Sequence, residues 1–534
     1  MPVTREAVGY IADVEGAEAT VVLTAVASTR VGLGDMLVVA TPASQVFGLV
    51  RALATSSPSA APSPDDRRLA KLALLGESLG PDYQDFLFQR GVSVGPRLGA
   101  GVSLATSDDL TRIYAKPTKS SVVVGSLQQD PSVPAYVVVD DLLGKHFAVL
   151  GTTGSGKSCT VAVLLRSVLA AHACGHIVLL DPHDEYAAAF GDLAESVAPD
   201  DLALAYWLLD YEELVQVFCS ADRPFREVEA NILKDCVLTA KREYLQGTGG
   251  GDEAGLTIDT PVPYRLARVA ELLKVGMGKL DKPESSIPYL RLSTRIDTLR
   301  RDRRFAFMFG QLTVEDTMAQ LLSRYLRLPG QGKPMTIFNL AGVPAEIVDV
   351  VVSVLCRLIF DFALWSERGK GVPVLLVCEE AHRYVPRDTT QAFAPTRRAL
   401  ARIAKEGRKY GVSLGLVTQR PSEISETVLS QVNTLFALRM SNEQDQLFVR
   451  RAMPENAAGL LAALPALRAQ EAVAVGEGVT VPMRLRLRDL GPDERPRSDT
   501  APFSEVWSAE RHDMGFIRAT IDRWRRQIRS PASL

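Results

Sequence analysis

Residues 146–171 read HFAVL, GTTGSGKS and CTVAVLLRSVLAA in succession. They place a complete GxxxxGK[ST] motif between an apolar run typical of a buried strand and a helical pattern. The glycines let backbone N–H groups surround phosphate oxygens, and the helix that follows adds its positive end. In such a loop Lys157 reaches the β- and γ-phosphates and Ser158 is a ligand of Mg²⁺. The stretch predicts a nucleotide site formed by Gly151, Thr152, Thr153, Gly154, Ser155, Gly156, Lys157, Ser158 and Cys159.

A second strand end supplies acidic side chains. Hydrolysis needs them because the metal must be held and the attacking water must be oriented. The run VPVLLVCEEAHRY, residues 372–384, ends its apolar part at Glu379 and Glu380. Glu379 can support the Mg²⁺ shell and Glu380 can polarise water, although Asp is more usual at the first position in P-loop enzymes. The alternative is two surface carboxylates at a strand end.

Two more apolar runs end in polar clusters. HIVLL is followed by DPHDEY, residues 181–186, and VSLGLV is followed by TQRPS, residues 418–422. In an open parallel sheet the carboxyl ends of the strands converge on the ligand, so these clusters are expected beside the phosphate loop. Gln419 suits a γ-phosphate sensor. The alternative is that these polar side chains only cap turns.

A predicted helix between the apolar runs 372–378 and 413–418 is rich in basic residues. They are Arg397, Arg398, Arg402, Lys405, Arg408 and Lys409. One interpretation is an arginine finger, a guanidinium that reaches a neighbouring subunit's γ-phosphate and stabilises the transition state. Arg408 is the first candidate because it lies at the helix exit, and Arg402 is the second. The alternative is a solvated basic face.

Composition sets the class of the protein. The 534 residues carry 60 basic and 63 acidic side chains, so any grip on nucleic acid must come from a local patch. The six cysteines lack CxxC spacing, which predicts a reducing, cytoplasmic environment and no structural zinc. The apolar stretch 347–365 carries Asp349, Arg357 and Asp361 on one helical face, so it predicts a buried amphipathic helix and no membrane span.

The pattern of the chain changes near residue 110. Short β-runs at 20–24, 35–40, 45–51 and 90–105 predict a small barrel or sandwich, with an exposed loop at 55–66. From about residue 120, continuous apolar runs alternate with helical patterns and predict an α/β fold with a mainly parallel sheet. These runs are residues 147–150, 177–180, 335–340, 372–378 and 413–418.

These shifts set the predicted domains. Residues 1–115 form an N-terminal β-domain and 116–490 an α/β domain with a helical insertion at about 212–330. Residues 491–534 form a linker and a last helix. In that helix Met514, Ile517, Ile521, Trp524 and Ile528 make one apolar seam with arginines around it. A lone helix of this length is marginal in water, so the seam is expected to pack on its own subunit or on the next one.

The motifs together resemble the HerA-like ATPases of the HerA/FtsK superfamily, over nearly the whole chain. The segments that carry the resemblance are GTTGSGKS (151–158), DPHDEY (181–186), YWLLD (206–210), DTPVPY (259–264), RRFAFMF (303–309), the apolar run 343–365, LLVCEEAHRYVP (375–386), EGRKYG (406–411) and TQRPSEI (418–424). The paired glutamates, unusual among P-loop enzymes, look normal for this family.

The resemblance implies a RecA-like P-loop core with a helical insertion and an N-terminal β-barrel, assembled as a homohexamer around duplex DNA. It implies ATP and Mg²⁺ as cofactors. The roles it carries over are hydrolysis for Glu380, an active-site acid for Asp181, a sensor for Gln419 and a finger acting in trans for Arg408. Lys145, before the phosphate-loop strand, is an inter-subunit sensor or a simple cap.

Two positions depart from the family pattern. Asp184 stands where the family commonly has Gly, in DPHGEY. Residues 468–470, Arg-Ala-Gln, stand where small residues and Gly are usual. The first departure is expected to alter the loop beside the nucleotide, and neither removes a catalytic group.

Family members work with partners, so the resemblance implies a NurA-like or other separate nuclease, or a sirtuin-like effector, docked on the barrel. The leading hypothesis is a translocase of double-stranded DNA that serves DNA end processing or anti-phage defence. The alternative is an ATPase scaffold that assembles or switches an effector. A conjugative or secretion motor usually brings membrane helices, which the sequence does not predict. The cluster Arg300, Arg301, Arg303 and Arg304 is either a channel lining that grips phosphates or a solvated surface.

Overall fold

The computed structural model describes most of the chain. The described residues are 7–24, 29–42, 44–55, 67–79, 87–249, 253–279, 283–310, 314–330, 332–367, 369–388, 393–453, 458–497, 503–508 and 513–526. The chain divides into two units, Met1–Pro496 and Arg497–Leu534. The predicted loop at 55–66 lies almost wholly outside the described residues, as does Ile528 of the predicted apolar seam.

The first unit begins with antiparallel strands that close into a barrel. The strands are β1 (Ala7–Glu15), β2 (Glu18–Leu23), β3 (Met36–Ala40), β4 (Ser44–Thr55), β5 (Arg68–Leu79), β6 (Leu87–Arg90) and β7 (Gly101–Leu104). Six strands follow the order β1–β2–β5–β4–β3–β7, with β7 pairing back onto β1, and β6 adds to the outer side of β5. Of the barrel and the sandwich that the sequence left open, the barrel is the one observed.

Strand β3 joins the barrel to the rest of the unit because both of its faces are buried. Leu37 and Val39 belong to the barrel's own apolar core. Met36 and Val38 belong to the larger core that continues through the α/β region. The sequence MLVVA therefore reads as a continuous apolar run, as expected for a strand with no solvent face.

The α/β region is built on one sheet of eleven strands. They are β8 (Ser121–Leu127), β9 (Pro134–Val138), β10 (Phe147–Leu150), β11 (Ile177–Asp181), β12 (Ala194–Val197), β13 (Met335–Asn339), β14 (Val374–Cys378), β15 (Val412–Thr418), β16 (Thr434–Ala437), β17 (Glu471–Gly476) and β18 (Met483–Leu487). The spatial order is β12–β13–β11–β14–β15–β10–β16–β17–β18–β8–β9. Strand β10, which leads into the phosphate loop, lies between β15 and β16.

The sheet is mixed, so the prediction of a mainly parallel sheet is not confirmed. The seven strands from β12 to β16 pair in parallel, and β17, β18, β8 and β9 continue the sheet antiparallel. The antiparallel strands were not predicted from the sequence because some of them have one partly exposed face. Strand β18 reads MRLRL, with Arg484 and Arg486 outside the core, and such alternation does not resemble the apolar runs of a parallel core.

Helices cover the sheet and fill the long connection between β12 and β13. The helices of the first unit are α1 (Ser107–Ile113), α2 (Val139–Leu143), α3 (Lys157–Ala171), α4 (Ala187–Phe190), α5 (Tyr211–Phe218), α6 (Arg223–Thr248), α7 (Leu266–Gly278), α8 (Ile287–Arg301), α9 (Ala306–Phe309), α10 (Met318–Leu326), α11 (Ala345–Trp365), α12 (Ala394–Tyr410), α13 (Glu426–Leu429), α14 (Glu443–Ala452) and α15 (Ala458–Leu461). The second unit contains α16 (Phe503–Val506) and α17 (Met514–Arg526). The connection contains α5 to α10 and, within its described residues, no strand.

Helix α11 has the buried polar stripe that its sequence predicts. Arg357 lies 2.9 Å from a carboxylate oxygen of Glu213 and 3.3 Å from one of Asp210, and Ser353 donates to Glu213 across 2.7 Å. Asp210 and Glu213 form the capping box that begins α5, so the same acids start one helix and neutralise another. No helix in the described ranges has the length and apolar character needed to cross a bilayer.

Candidate active site

The phosphate loop connects β10 to α3 through two left-handed glycines. Gly154 has φ +72° and Gly156 has φ +99°, values that side chains with a Cβ rarely adopt. Gly156 is the N-cap of α3, so the loop leads directly into the free N–H groups of that helix. The loop therefore has the backbone that phosphate binding requires.

Lys157 lies buried at the start of α3. Its Nζ donates to the carbonyl of Thr152 across 3.3 Å, which folds the side chain back along the loop. Burial lowers the pKa of the Lys157 ammonium, while the charges of Glu379, Glu380 and Glu185 oppose that shift. The three carboxylates thus favour the charged form of Lys157, and a bound phosphate would favour it further.

The strand end after β11 contributes a turn that contacts the loop. Ser158 Oγ donates to Glu185 Oε2 across 2.6 Å. Asp181 is fully buried and accepts from the backbone N–H groups of His183 and Tyr186 at 3.2 and 2.9 Å. Burial raises the pKa of Asp181, and the backbone hydrogen bonds act against that rise. Asp181 therefore shapes the turn, and that turn brings Glu185 to Ser158, the predicted Mg²⁺ ligand.

Glu379, at the end of β14, is buried against Tyr186. The phenol of Tyr186 donates to Glu379 Oε2 across 2.7 Å. Burial raises the pKa of Glu379 to about 8, and the hydrogen bond from Tyr186 lowers it in part. A bound divalent cation would favour the ionised form, because it supplies the charge that this buried carboxylate lacks.

Glu380 is held in a left-handed backbone conformation, with φ +52°, at the entrance to a short 3₁₀ turn. Gln419 Nε2 donates to Glu380 Oε1 across 2.9 Å. The Gln419 carbonyl oxygen in turn accepts from the hydroxyl of Thr153 in the phosphate loop. The predicted acid and the predicted sensor are thus in direct contact, and both are connected to the loop.

The two departures from the family pattern share one backbone property. Asp184 has φ +58° and Gln470 has φ +67°. Glycine adopts this region at no steric cost, whereas other residues are strained in it. Both departures therefore place a residue with a side chain in a backbone conformation that favours glycine.

The two finger candidates occupy different surroundings. Arg402 lies 3.5 Å from Asp361 and its guanidinium stacks 4.3 Å from the ring centre of Phe360, so it is engaged within its own subunit. Arg408 is exposed near the end of α12. Its charge reaches His146, where burial first and Arg408 second lower the imidazole pKa. His146 precedes β10, whereas the phosphate loop follows β10, so Arg408 lies at the opposite edge of the sheet.

Lys145, the other candidate for an inter-subunit role, has partners in its own chain. Its Nζ lies 3.4 Å from Asp141 and closer still to Glu477. These contacts raise the pKa of Lys145, with the hydrogen bond to Glu477 as the largest cause. The ion pairs connect α2 to the turn after β17.

An open groove of about 1290 Å³ extends from the phosphate loop along the surface. Thr152, Thr153 and Gln419 line one end, and the loop after β15 and helix α14 line the rest. Among the lining arginines, Arg420 pairs with Glu423 and Arg387 with Glu426. The phosphate site therefore opens onto a wide, polar surface and not into an enclosed cavity.

Comparison with known proteins gives matches over most of the chain. Residues 122–359 match the family model described as the central domain of helicase HerA. The DNA double-strand break repair helicase HerA of Pyrococcus furiosus is 26% identical over 472 residues, covering 81% of this chain and 79% of the relative. That of Sulfurisphaera tokodaii is 26% identical, covering 83% and 86%. Among solved structures, VirB4 of Thermoanaerobacter pseudethanolicus aligns with a TM-score of 0.48 and 15% identity, covering 71% of this chain and 98% of that one.

The phosphate loop between β10 and α3, with buried acids at two neighbouring strand ends, defines a P-loop ATPase. The resemblance inferred from the motifs is confirmed by the match of residues 122–359 and by the relatives that extend beyond it. The chain is therefore a P-loop ATPase that is similar to the HerA helicases over most of its length.

The structure adds three residues to those singled out from the sequence. Glu185 and Tyr186 stood in the quoted DPHDEY cluster without a role, and they contact Ser158 and Glu379. His382 stood in the quoted EEAHRY run and lies against Glu380. In the sequence, these three residues were marked only by their position just after an apolar strand. The structure shows which side chain each of them contacts.

Proposed function

We propose that the protein is an ATP-driven translocase of double-stranded DNA that acts as a homohexamer with a separately encoded partner. The observation that carries the proposal is the chain of contacts from Thr153 through Gln419 to Glu380, which joins a phosphate loop to a water-activating acid. The relatives are named as DNA double-strand break repair helicases, which supports DNA as the substrate on which the ATPase acts.

The nucleotide part of the proposal assigns a role to each residue of the loop. Residues 151–159 bind the phosphates of ATP through backbone N–H groups, and Lys157 neutralises the β- and γ-phosphates. Ser158 and Glu379 would hold Mg²⁺, since both offer oxygen donors, the type that this ion prefers. When bound, Mg²⁺ would neutralise charge that develops on the phosphates. Glu185 orients the Ser158 hydroxyl, and Asp181 maintains the turn that carries Glu185.

The hydrolytic step assigns the proton acceptor and the sensor. Glu380 polarises the attacking water, because its carboxylate is buried beside the phosphate loop and can accept a hydrogen bond from that water. Gln419 senses the γ-phosphate, since a phosphate at the loop would compete for the hydroxyl of Thr153 that Gln419 now engages. Occupancy of the loop would then alter the hold of Gln419 on Glu380.

The oligomeric part of the proposal follows from the position of Arg408. An exposed guanidinium at the sheet edge opposite its own phosphate loop cannot serve that loop, but it can serve a neighbour's. The exposed groove beside the phosphate loop leaves space for such an approach. Arg402 is the weaker candidate because Asp361 and Phe360 already engage it.

DNA contact is proposed for the arginines at the end of α8. Arg300, Arg301 and Arg303 are exposed, and Arg304 is exposed while paired with Asp302 at 2.7 Å. Such side chains would grip backbone phosphates without reading bases. The barrel of residues 1–115 is proposed as the docking surface for the partner, a NurA-like or other nuclease or a sirtuin-like effector, in DNA end processing or anti-phage defence.

The C-terminal helix α17 is proposed as a brace across the hexamer interface. Met514, Ile517 and Trp524 lie on one helical face and are 61%, 46% and 73% exposed. An apolar face of this kind is stabilised when another surface covers it. A neighbouring subunit is the occupant that the proposal names.

Two measurements test the function. ATP turnover with and without linear duplex DNA should show stimulation, and displacement of a triplex-forming strand should require hydrolysis. A hexamer by native mass spectrometry is expected in both conditions. ATP turnover that duplex DNA leaves unchanged, together with no strand displacement, would contradict the translocase and favour an ATPase scaffold that assembles or switches an effector.

A further inference from the structure

The Glu380 carboxylate has one oxygen that the contacts described above do not use. The side chain is 8% exposed, and its Oε1 accepts from Gln419. Its Oε2 is buried and, within the described part of the chain, has no hydrogen-bond partner of good geometry. A buried carboxylate oxygen without a donor costs free energy, so this atom points to a group that serves it during the reaction.

An imidazole lies beside that oxygen. His382 Nδ1 lies 3.2 Å from Glu380 Oε2 and 3.0 Å from Thr418 Oγ1. Thr418 Oγ1 also accepts from the backbone N–H of Arg420 at 3.0 Å, which fixes the threonine hydroxyl at the end of β15. The imidazole is therefore positioned by one strand end and faces the acid of the next.

Burial favours a neutral imidazole, and the neighbouring Glu380 carboxylate favours the tautomer that donates from Nδ1. Burial is the largest influence and lowers the pKa of His382, as do Arg420 and Arg383, while Glu380 and Glu423 act in the opposite direction. A neutral ring has one N–H. If Nδ1 carried a lone pair, it would face the negative carboxylate, so the tautomer with hydrogen on Nδ1 is the stable one beside Oε2.

We propose that His382 is a positioning residue for ATP hydrolysis, which sets the orientation of the Glu380 carboxylate through Oε2. Gln419 donates to Oε1, and His382, 3.2 Å from Oε2, would donate to that oxygen once the two groups align for hydrolysis. Adjacent residues of one strand end, Thr418 and Gln419, would then control both oxygens. Each carboxylate oxygen can accept two hydrogen bonds, so each would still have one acceptor site free, and the attacking water can use one of them. The inference rests on the proposed role of Glu380 and adds to it a second point of control.

The test compares two substitutions of similar size at His382. His382→Asn retains a polar amide close to the place of Nδ1, whereas His382→Leu retains bulk without a donor. We expect His382→Leu to lower kcat about 10- to 100-fold, as for loss of alignment of a catalytic group. His382→Asn should recover most of that loss. KM for ATP and the affinity for a fluorescent ATP analogue should stay within about twofold in both variants, because the group acts after binding.

The control is His172→Leu, which removes an exposed imidazole at the end of α3 and should leave kcat unchanged. A kcat of His382→Leu within twofold of wild type would overturn the proposal. So would equal losses in the Leu and Asn variants, or an ATP affinity that falls in step with kcat. If His382→Leu fails to fold, His382→Gln replaces it in the comparison, because the glutamine amide lies one bond farther from the backbone than Nδ1 does. Higher activity for His382→Gln than for His382→Asn would then overturn the proposal.

Failure of this inference can be told apart from failure of the proposed function. Glu380→Gln is assayed beside the His382 variants under the same conditions. Wild-type turnover by Glu380→Gln would remove the role of Glu380 itself. An inactive Glu380→Gln beside a fully active His382→Leu would remove only the role of His382.

Discussion

The side chains of Gln419 and Glu380 are hydrogen bonded to each other across 2.9 Å. The side-chain amide of Gln419 has a defined orientation, because its carbonyl oxygen accepts from Thr153 while its amino group donates to Glu380. Rotating the amide by 180° would break both hydrogen bonds. The link places the proposed sensor, Gln419, between the phosphate loop and the proposed hydrolytic acid, Glu380. The state of the loop can therefore reach Glu380 through a single side chain.

Glu380→Gln should stop hydrolysis while ATP still binds. The amide keeps the shape of the side chain but cannot accept a proton from water as a carboxylate does, so kcat should fall about 100-fold or more. Single-turnover assays and equilibrium binding of a fluorescent ATP analogue measure the two properties separately. Loss of nucleotide binding in this variant would instead give Glu380 a structural role.

Lys157→Ala should abolish turnover and weaken ATP binding together. The ammonium neutralises phosphate charge in both the bound state and the transition state, so its loss should reduce kcat/KM by at least about 100-fold. Lys370→Ala is the control, because that lysine is exposed and pairs with Glu367 in the connection before β14. Wild-type turnover by Lys157→Ala would contradict the phosphate-loop assignment.

Arg408→Ala and Glu380→Gln subunits should complement each other when mixed. Neither variant alone should hydrolyse ATP well, but some mixed interfaces would pair an intact acid with an intact finger. Native mass spectrometry confirms that mixed assemblies form, and steady-state ATPase assays measure the recovery. Mixed assemblies that show no recovery would count against Arg408 as the finger, and the experiment would then be repeated with Arg402→Ala.

Asp184→Gly should stabilise the protein slightly. Glycine relieves the left-handed strain at φ +58°, although it increases the freedom of the unfolded chain, for a net gain of about 0.5–1 kcal/mol. Differential scanning fluorimetry should then show a melting temperature higher by about 1–2 °C for a chain of this size. The control, Asp140→Gly in helix α2, should lower it. A lower melting temperature for Asp184→Gly would show that the aspartate side chain stabilises the turn.

Deletion of residues 503–534 should leave ATP binding by the monomer intact while the hexamer shifts toward smaller species and hydrolysis falls. The physical reason is that the apolar face of α17 would no longer cover a neighbouring subunit. Size-exclusion chromatography with light scattering measures the assembly, and an ATPase assay accompanies it. A truncated protein that remains a full hexamer with undiminished ATPase would refute the brace.

The sequence predicted the ATPase class well and the geometry of the site in part. The motif 151–158 and the apolar strand ends are local signals, so the phosphate loop, Glu379, Glu380 and Gln419 could be named from them. The contacts of Tyr186 and His382 depend on which strands are neighbours, and that order arises from packing over long distances. The antiparallel strands were missed for a similar reason, since β18 alternates apolar and charged residues and its partner β8 lies far away in sequence.

The pairing of β8 with β18, with Leu127 opposite Leu485, has a consequence for how the protein is made. Strands β8 and β9 precede the phosphate loop in the chain, but β18, on which β8 pairs, is the last strand of the sheet to be synthesised. Until residue 487 emerges, β8 can pair with β9 on one edge while its other edge has no partner, and Val122, Val124 and Leu127 lack the full core that buries them in the folded protein. This edge of the ATPase sheet is thus completed only when synthesis of the chain is almost finished. A chain truncated before β18 would expose the unpaired edge of β8, which could pair with strands of other proteins and aggregate.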